Sequence, residues 1–521
     1  SFCYCYLFAQ GFMPLKENQM GTQLKPQVPI PRYDKLTAHF QKISHFEHFS
    51  ALGDWDQAAM MPIGGGNDRG NAMAELALHI HTLKTSDTLA EHLHGAAEEV
   101  LTAEQQANLR EMQYQYQQAN LVPGCLVQAK TKMAYQCENA WREQRKNNDW
   151  QGFKPNLKAV IELAKEEAQI RSEAQKISPY DALLNKFEPG MTTAKLEQTF
   201  GGLKDWLPTL IQEVLAKQAN EPKLVLNGPF DISAQQALGR DVMTFLGFDF
   251  NHGRLDMSSH PFCGGVPSDV RITTRYNEAD FSSAIMGIVH ETGHARYEQG
   301  LPQAWRGQPA GLARSMGVHE SQSLFCEMQL GANSAFLRQL QPKIAQHLNC
   351  DFSAQELAQH YTRVNPGLIR VDADEVTYPC HILLRFEAEK AFIDGSLTVD
   401  DLPDFWSAQM QQLLGINTDG NYRDGCMQDI HWAVGELGYF PSYTLGAMYA
   451  AQCRFAMEKA LGPIEALIDA GKLESVFQWL SKHIWSKGSL LTTDELIQQA
   501  TGETLNSQYL ERHLRQRYLG I

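Results

Sequence analysis

At 521 residues the chain is long enough to bury a sizeable core, and its 43% hydrophobic and 20% charged residues match ordinary globular usage. With 45 basic against 60 acidic residues it carries a net charge of −15. That balance argues against nucleic acid or an anionic membrane surface as the main partner, because phosphates attract an excess of Lys and Arg.

The amino terminus, SFCYCYLFAQGF, is apolar but short, without a basic flank or a small-residue cleavage site. It reads as an extension upstream of Met13 or Met20, not as a secretory signal, and residues 1–30 are expected to be poorly ordered. Helical periodicity then takes over. Apolar residues recur at three- and four-residue intervals in 33–52, 99–119, 124–147 and 152–176, the spacing of amphipathic helices. Breakers fall between these segments: PIGGGN from Pro62, VPG from Val122 and EPG from Glu188. The helical pattern returns in TAKLEQTFGGLKDWLPTLIQEVLAKQ and breaks again at QANEPKLVLNGPFD.

The middle of the chain differs. FDFNHGRLDMSSHPFCGGVPSDVRITTRYNEADF is rich in Gly, Pro, Ser and Asp, with a β-branched run from Val270 to Thr274. It predicts turns and one to three short strands. From Phe281 onward helices resume and continue to the end. There is no repeat, low-complexity tract or convincing linker, so residues 31–521 read as one mainly α-helical unit, in two lobes, with a small sheet near its centre.

Ten scattered cysteines without a CxxC pair do not form a disulfide scaffold; they read as reduced thiols of a cytosolic protein. No run of about 18 uncharged apolar residues suggests a membrane span. A soluble, cytoplasmic protein is expected.

The chemistry concentrates in IMGIVHETGHARYEQG, residues 285–300. On a helix, residues four apart lie one turn above each other, so His290 and His294 can direct imidazole nitrogens at one ion. Glu291 lies about a third of a turn away, within reach of a metal-bound water without ligating the metal itself. This is the HExxH arrangement, in which the metal acidifies water and the glutamate takes its proton. An ordinary surface helix is the competing reading.

A catalytic zinc needs a third protein ligand and an open position. A histidine at position 300 would supply it, but Gly300 stands there. The next helical run, GVHESQSLFCEMQLGANSAFL from Gly317, places Glu320 beside an apolar stripe of Leu324, Phe325, Met328 and Leu330. A carboxylate there is costly without a partner. Glu327 and Glu298 are competing candidates.

HETGH followed by HESQ, with Glu320 26 positions after His294, resembles the M32 carboxypeptidases, the carboxypeptidase Taq family. Further motifs carry the likeness: HPF from His260, DVRIT from Asp269, IRVDAD from Ile369 and GCMQDIHW from Gly425. WDQAAMMPIGG and SPYDALLNKFEPGMT also resemble the family, so the likeness runs from about residue 30 to the end. It implies a mostly helical peptidase fold, two lobes around a deep groove, and a single catalytic domain over 31–521. It also implies a homodimer, one Zn²⁺ per chain with Co²⁺ or Mn²⁺ as substitutes, and release of single amino acids from peptide C-termini.

On this reading His290, His294 and Glu320 hold the metal, while Glu291 serves as general base and later as proton donor to the departing amine. Reading a free C-terminal carboxylate calls for a buried guanidinium. Arg370 is the candidate by resemblance, with a structural ion pair to Asp372 or Asp374 as the alternative. Arg271 beside Asp269 reads as scaffold. The developing oxyanion needs a neutral donor; His431 and Tyr443 are favoured by resemblance to related zinc peptidases, with Tyr439 as a packing aromatic. His260 is expected to line the groove near the S1′ side, against a turn-stabilising role. Gln428 and Asp429 are expected to orient His431, and Cys263 and Cys326 to be packing thiols. The rival functions are an oligopeptidase or dipeptidyl carboxypeptidase with the same metal site, and a catalytically silent metal-binding protein.

Overall fold

Tyr33, Leu36, Phe40 and Ile43 are spaced for one face of a helix, and that face is buried in Pro31–Ala59. In this computed structural model, which describes residues 31–521, the face packs on Leu89 and Leu93 of Asp87–Ala96. Leu109 and Met112 of Ala103–Asn120 complete the cluster. These helices thus share a small core distinct from the main one. The segment 1–30 lies outside the described residues. The helix expected from 99 begins at Ala103 because Thr102 caps it: its hydroxyl accepts from the Gln105 amide, and the Gln105 side chain reaches back.

Helices Gly124–Lys146, Trp150–Gln175 and Thr193–Gln218 follow the predicted segments closely. The Gly- and Pro-rich middle forms three strands: β1 (Gly253–Met257), β2 (Phe262–Val266) and β3 (Asp269–Thr274). Their order is β1-β3-β2, with β1 parallel and β2 antiparallel to β3. Val270 and Ile272 of β3 are fully buried, and this strand lies against the helix Ser282–Gly300 that carries HETGH. Arg271 grips Asp269 through Nε and NH2, at 2.6 and 2.8 Å, and stacks on Trp55 at 4.3 Å. It is a scaffold residue joining the sheet to the first helix.

Two glycines set how closely the site-bearing helices approach. A Cβ on Gly293, inside HETGH, would stand 2.6 Å from Ser323 Cα and nearer still to the Gln322 carbonyl oxygen. One on Gly446, in helix Pro441–Leu461, would stand 2.8 Å from both Cβ and Cγ of Glu320. The short helix Met316–Leu324 is therefore wedged between its neighbours, with the Glu320 stem pressed against a bare backbone. Such contacts are open only to residues lacking a side chain. Among the described residues no helix is long and apolar enough to cross a membrane.

Candidate active site

His290 and His294, one turn apart, meet Glu320 from the next helix. Glu320 Oε1 lies 4.0 Å from His290 Nε2, and Oε2 lies 3.4 Å from His294 Nε2. One ligand atom from each residue lies within 4.8 Å of the others, the only such metal-binding group among the described residues. Each imidazole has its other nitrogen engaged. His290 Nδ1 is 2.6 Å from Glu327 Oε2. His294 Nδ1 is 2.6 Å from His319 Nδ1, whose Nε2 is 2.7 Å from Glu298 Oε1. With Nδ1 so occupied, Nε2 is the nitrogen that each ring turns toward Glu320 and toward a cation, as in metal sites whose outer partners orient the imidazoles. Two imidazoles and a carboxylate form the donor set of a catalytic zinc, and these residues fit it.

Glu327 and Glu298, competitors of Glu320 in the sequence, thus sit one shell further out. Glu327 reaches His290 from a wider π-helical turn, Phe325–Gly331, that continues the Glu320 helix. Such turns concentrate at functional sites. Glu327→Ala should weaken zinc binding by about 10–100-fold, read by chelator competition; unchanged affinity would exclude the role.

The electrostatics follow from burial. Glu291 is 8% exposed, and burial pushes its carboxyl up to about 7. Burial also opposes the charge on Glu320, but His294 and His290 outweigh it and hold the carboxyl down to about 2. Burial drives His294 down to about 4. In His290 burial is overcome by Glu327, Glu320 and Glu291, which carry the ring up to about 10.

The helix holding Glu320 is fixed at its start by Ser315, which accepts from the Val318 amide at 3.2 Å. The buried carboxylate of Glu188, from FEPG, accepts from the Gly317 amide. Glu188 also accepts from Ser442 Oγ at 2.9 Å, next to Tyr443. The glutamine of HESQ, Gln322, accepts from Trp485 Nε1 at 2.8 Å.

Tyr443 OH lies 3.4 Å from His431 Nε2, and burial lowers the His431 ring to about 4, so the imidazole is neutral. Tyr443 stands one turn before Gly446, the glycine pressed against Glu320, and the rings of Tyr378 and Tyr439 lie 6.0 and 5.3 Å from its own. Arg370 is 6% exposed. Its Nε donates to Asp429 Oδ1 at 2.9 Å and its NH1 to Tyr378 OH at 2.6 Å. Its guanidinium stands 5.1 Å from the Tyr443 ring. Burial opposes this charge, yet Tyr378 and Asp429 hold the guanidinium above its ordinary value.

The ion pair considered for Arg370 is not made to Asp372 or Asp374; Asp374 instead accepts from the Val376 and Thr377 amides. Nor do Gln428 and Asp429 hydrogen-bond His431. Gln428 Oε1 accepts from the Arg370 amide at 2.8 Å, and Asp429 bridges Arg370 and Arg385. His260 is exposed on the β1–β2 connection, where its carbonyl accepts from Ser258 Oγ at 2.6 Å. Cys263 on β2 is close enough to Glu291 for that carboxylate to raise its thiol, after burial. Tyr378, Arg385, His319 and Glu188 escaped sequence reading, since nothing in their local pattern marks them.

The model of the carboxypeptidase Taq (M32) metallopeptidase family matches residues 35–518. The chain belongs to this family. It is 36% identical over 507 residues to thermostable carboxypeptidase 1 of Thermus thermophilus, covering 95% of this chain and 99% of that one. Carboxypeptidase 1 of Bacillus subtilis is 36% identical over 487 residues, covering 92% and 97%. Among solved structures, Trypanosoma cruzi metallocarboxypeptidase 1 matches with a TM-score of 0.93 and 43% identity, over 94% of this chain and all of that one. The M32 carboxypeptidase of Deinococcus radiodurans R1 gives 0.89 at 33% identity, covering 94% and 98%. As an M32 member with this donor set, the chain is a zinc-dependent carboxypeptidase acting on peptides. Its mainly helical fold with one small sheet is the M32 architecture.

Proposed function

We propose that this M32 peptidase releases single amino acids from peptide C-termini, with the zinc held by His290, His294 and Glu320 and with Glu291 as general base. The observation that carries the reading is the convergence of those three donors beside a buried Glu291. When bound, zinc supplies Lewis acidity, which makes water a better nucleophile and polarises a carbonyl oxygen. Glu291 takes the proton of the attacking water on a carboxylate oxygen and passes it to the nitrogen of the departing amine. The neutral ring N–H of His431 and the O–H of Tyr443 donate to the oxygen that gains charge.

Arg370 reads the substrate's free carboxylate. Its neighbourhood supports this: the buried guanidiniums of Arg370 and Arg385 both pair with Asp429, and the other side-chain partner of Arg370 is the Tyr378 hydroxyl. Arg370 therefore shares its counter-charge beside the Tyr443 ring, and an incoming carboxylate completes it. His260, on the exposed connection next to β2, is assigned to the S1′ rim. The proposal includes a single catalytic domain, a homodimer and cytoplasmic residence. Co²⁺ or Mn²⁺ can replace zinc, since imidazole and carboxylate accept several divalent ions.

The test pairs one N-blocked peptide as free acid and as C-terminal amide. The free acid should be shortened one residue at a time, with the amide resistant by at least about 100-fold, the scale of a lost charged contact. Equal cleavage of both forms would contradict the reading and favour an endo-acting oligopeptidase.

A further inference from the structure

Helix Tyr378–Asp394 is buried on nearly all sides, yet it carries a polar stripe. Tyr378, Arg385 and Glu389 are seven and four residues apart, so they lie along one face. Each is used on the segment that leads to the catalytic tyrosine. Tyr378 accepts from Arg370, which holds Asp429. Arg385 Nε donates to Asp429 Oδ2 at 2.7 Å. Glu389 is fully buried and collects three donors, each at 2.9 Å: Trp432 Nε1, the Gly438 amide and Tyr180 OH.

Two of those three donors lie between His431 and Tyr443 in the chain. Trp432 directly follows His431, and Gly438 stands just ahead of Tyr439, Phe440 and the helix bearing Tyr443. Between them the chain makes only the short helix Ile430–Ala433 and then turns through Gly435 and Gly438, both at positive φ. Such a segment has little regular structure to hold it, so its geometry depends on side-chain anchors. The third donor, Tyr180, comes from the separate helix Pro179–Leu184 and fixes the carboxylate from behind. Glu389 does not hydrogen-bond the metal donors: its three partners are Tyr180, Trp432 and Gly438.

We infer that Glu389 is a positioning residue, whose carboxylate holds residues 432–438 so that His431 and Tyr443 keep their mutual geometry, without itself bonding any metal ligand. The inference rests on the proposed roles of His431 and Tyr443. The anchoring is divided between two buried carboxylates: Glu188 ties the start of the Glu320 helix to Ser442, beside Tyr443, and Glu389 holds the loop between His431 and the Tyr443 helix.

Glu389→Gln puts an amide N–H where the carboxylate accepted from N–H and O–H donors, so one contact turns repulsive while side-chain volume is kept. In the zinc-loaded enzyme the expected result is a kcat lower by about 100-fold, the cost of small misplacements of reacting groups. KM and zinc affinity by chelator competition should both stay within about threefold, which marks lost transition-state interactions and not lost ground-state binding. Trp432→Phe removes one donor and should give a smaller kcat loss with the same split, which keeps the test open should Glu389→Gln fold poorly. A kcat within twofold of wild type in both variants, or zinc affinity falling in step with kcat, would overturn the inference. His431→Ala and Tyr443→Phe belong in the same assay: if they too keep full kcat, the roles assigned to them fail first. If they lose kcat and the Glu389 and Trp432 variants do not, it is the anchoring that fails.

Discussion

Glu291→Gln should lower kcat by about 10³–10⁴-fold, near the upper end of what a positioned general base contributes, while zinc remains bound. The reasons are geometric and chemical. Glu291 is not one of the three converging donors, so the metal loses no ligand. The amide has the same shape in a site that is only 8% exposed, so packing is kept. What disappears is a group able to take a proton. Zinc content by metal analysis and kcat on an N-blocked dipeptide, measured on the same preparation, decide the matter. Activity within tenfold of wild type would remove Glu291 from the role, and loss of zinc would make it a structural member of the site.

Gly293→Ala should have the next largest effect, for a different reason. The new methyl meets backbone, not a flexible side chain: Ser323 Cα at 2.6 Å, with the Gln322 carbonyl closer still. The HETGH helix and the helix bearing Glu320 must move apart, and overpacking of this kind costs about 1–3 kcal/mol. Because the three donors are divided between those two helices, zinc affinity should fall by about 10–100-fold. Gly287→Ala, on the same helix but with nothing within 4 Å of its added carbon, is the control. It should leave zinc affinity unchanged and stabilise the helix by up to about 1 kcal/mol. Equal zinc affinity in the two variants would mean that the close helix crossing does not set the metal site.

The contrast between those glycines shows what a sequence can and cannot reveal. HETGH sets two imidazoles and a carboxylate within little more than one helical turn because a helix has a known repeat, and that arrangement is readable from spacing alone. Glu320 was recognisable as a carboxylate on an apolar face, but its choice over Glu327 and Glu298 depends on tertiary placement. All three turn out to touch the same histidine network. Glu327 reaches His290 from a π-helical turn, and no apolar periodicity announces a local change of pitch. The Arg370–Asp429 pair joins residues 59 apart in sequence, whereas proximity along the chain favours Asp372 and Asp374. Glu389 and Glu188 were invisible for a related reason: a buried carboxylate is identified by the donors around it, and those come from distant segments. For the fold, the helices Gly124–Lys146, Trp150–Gln175 and Thr193–Gln218 lie within about two residues of the expected segments, whereas Gly66–Lys84, which buries none of its residues, and the short Asp87–Ala96 and Pro179–Leu184 were not anticipated. The strand at Val270 was found through its β-branched run, whereas the glycine-rich β2 offered little side-chain pattern to read.

The most direct test of the account is mass spectrometry of one N-acetylated peptide digested by the enzyme with and without a zinc chelator. A ladder of products, each one residue shorter from the C-terminus and absent under chelation, is what His290, His294 and Glu320 acting on one cation predict. Internal cleavage, or a ladder that persists when the metal is removed, would contradict it.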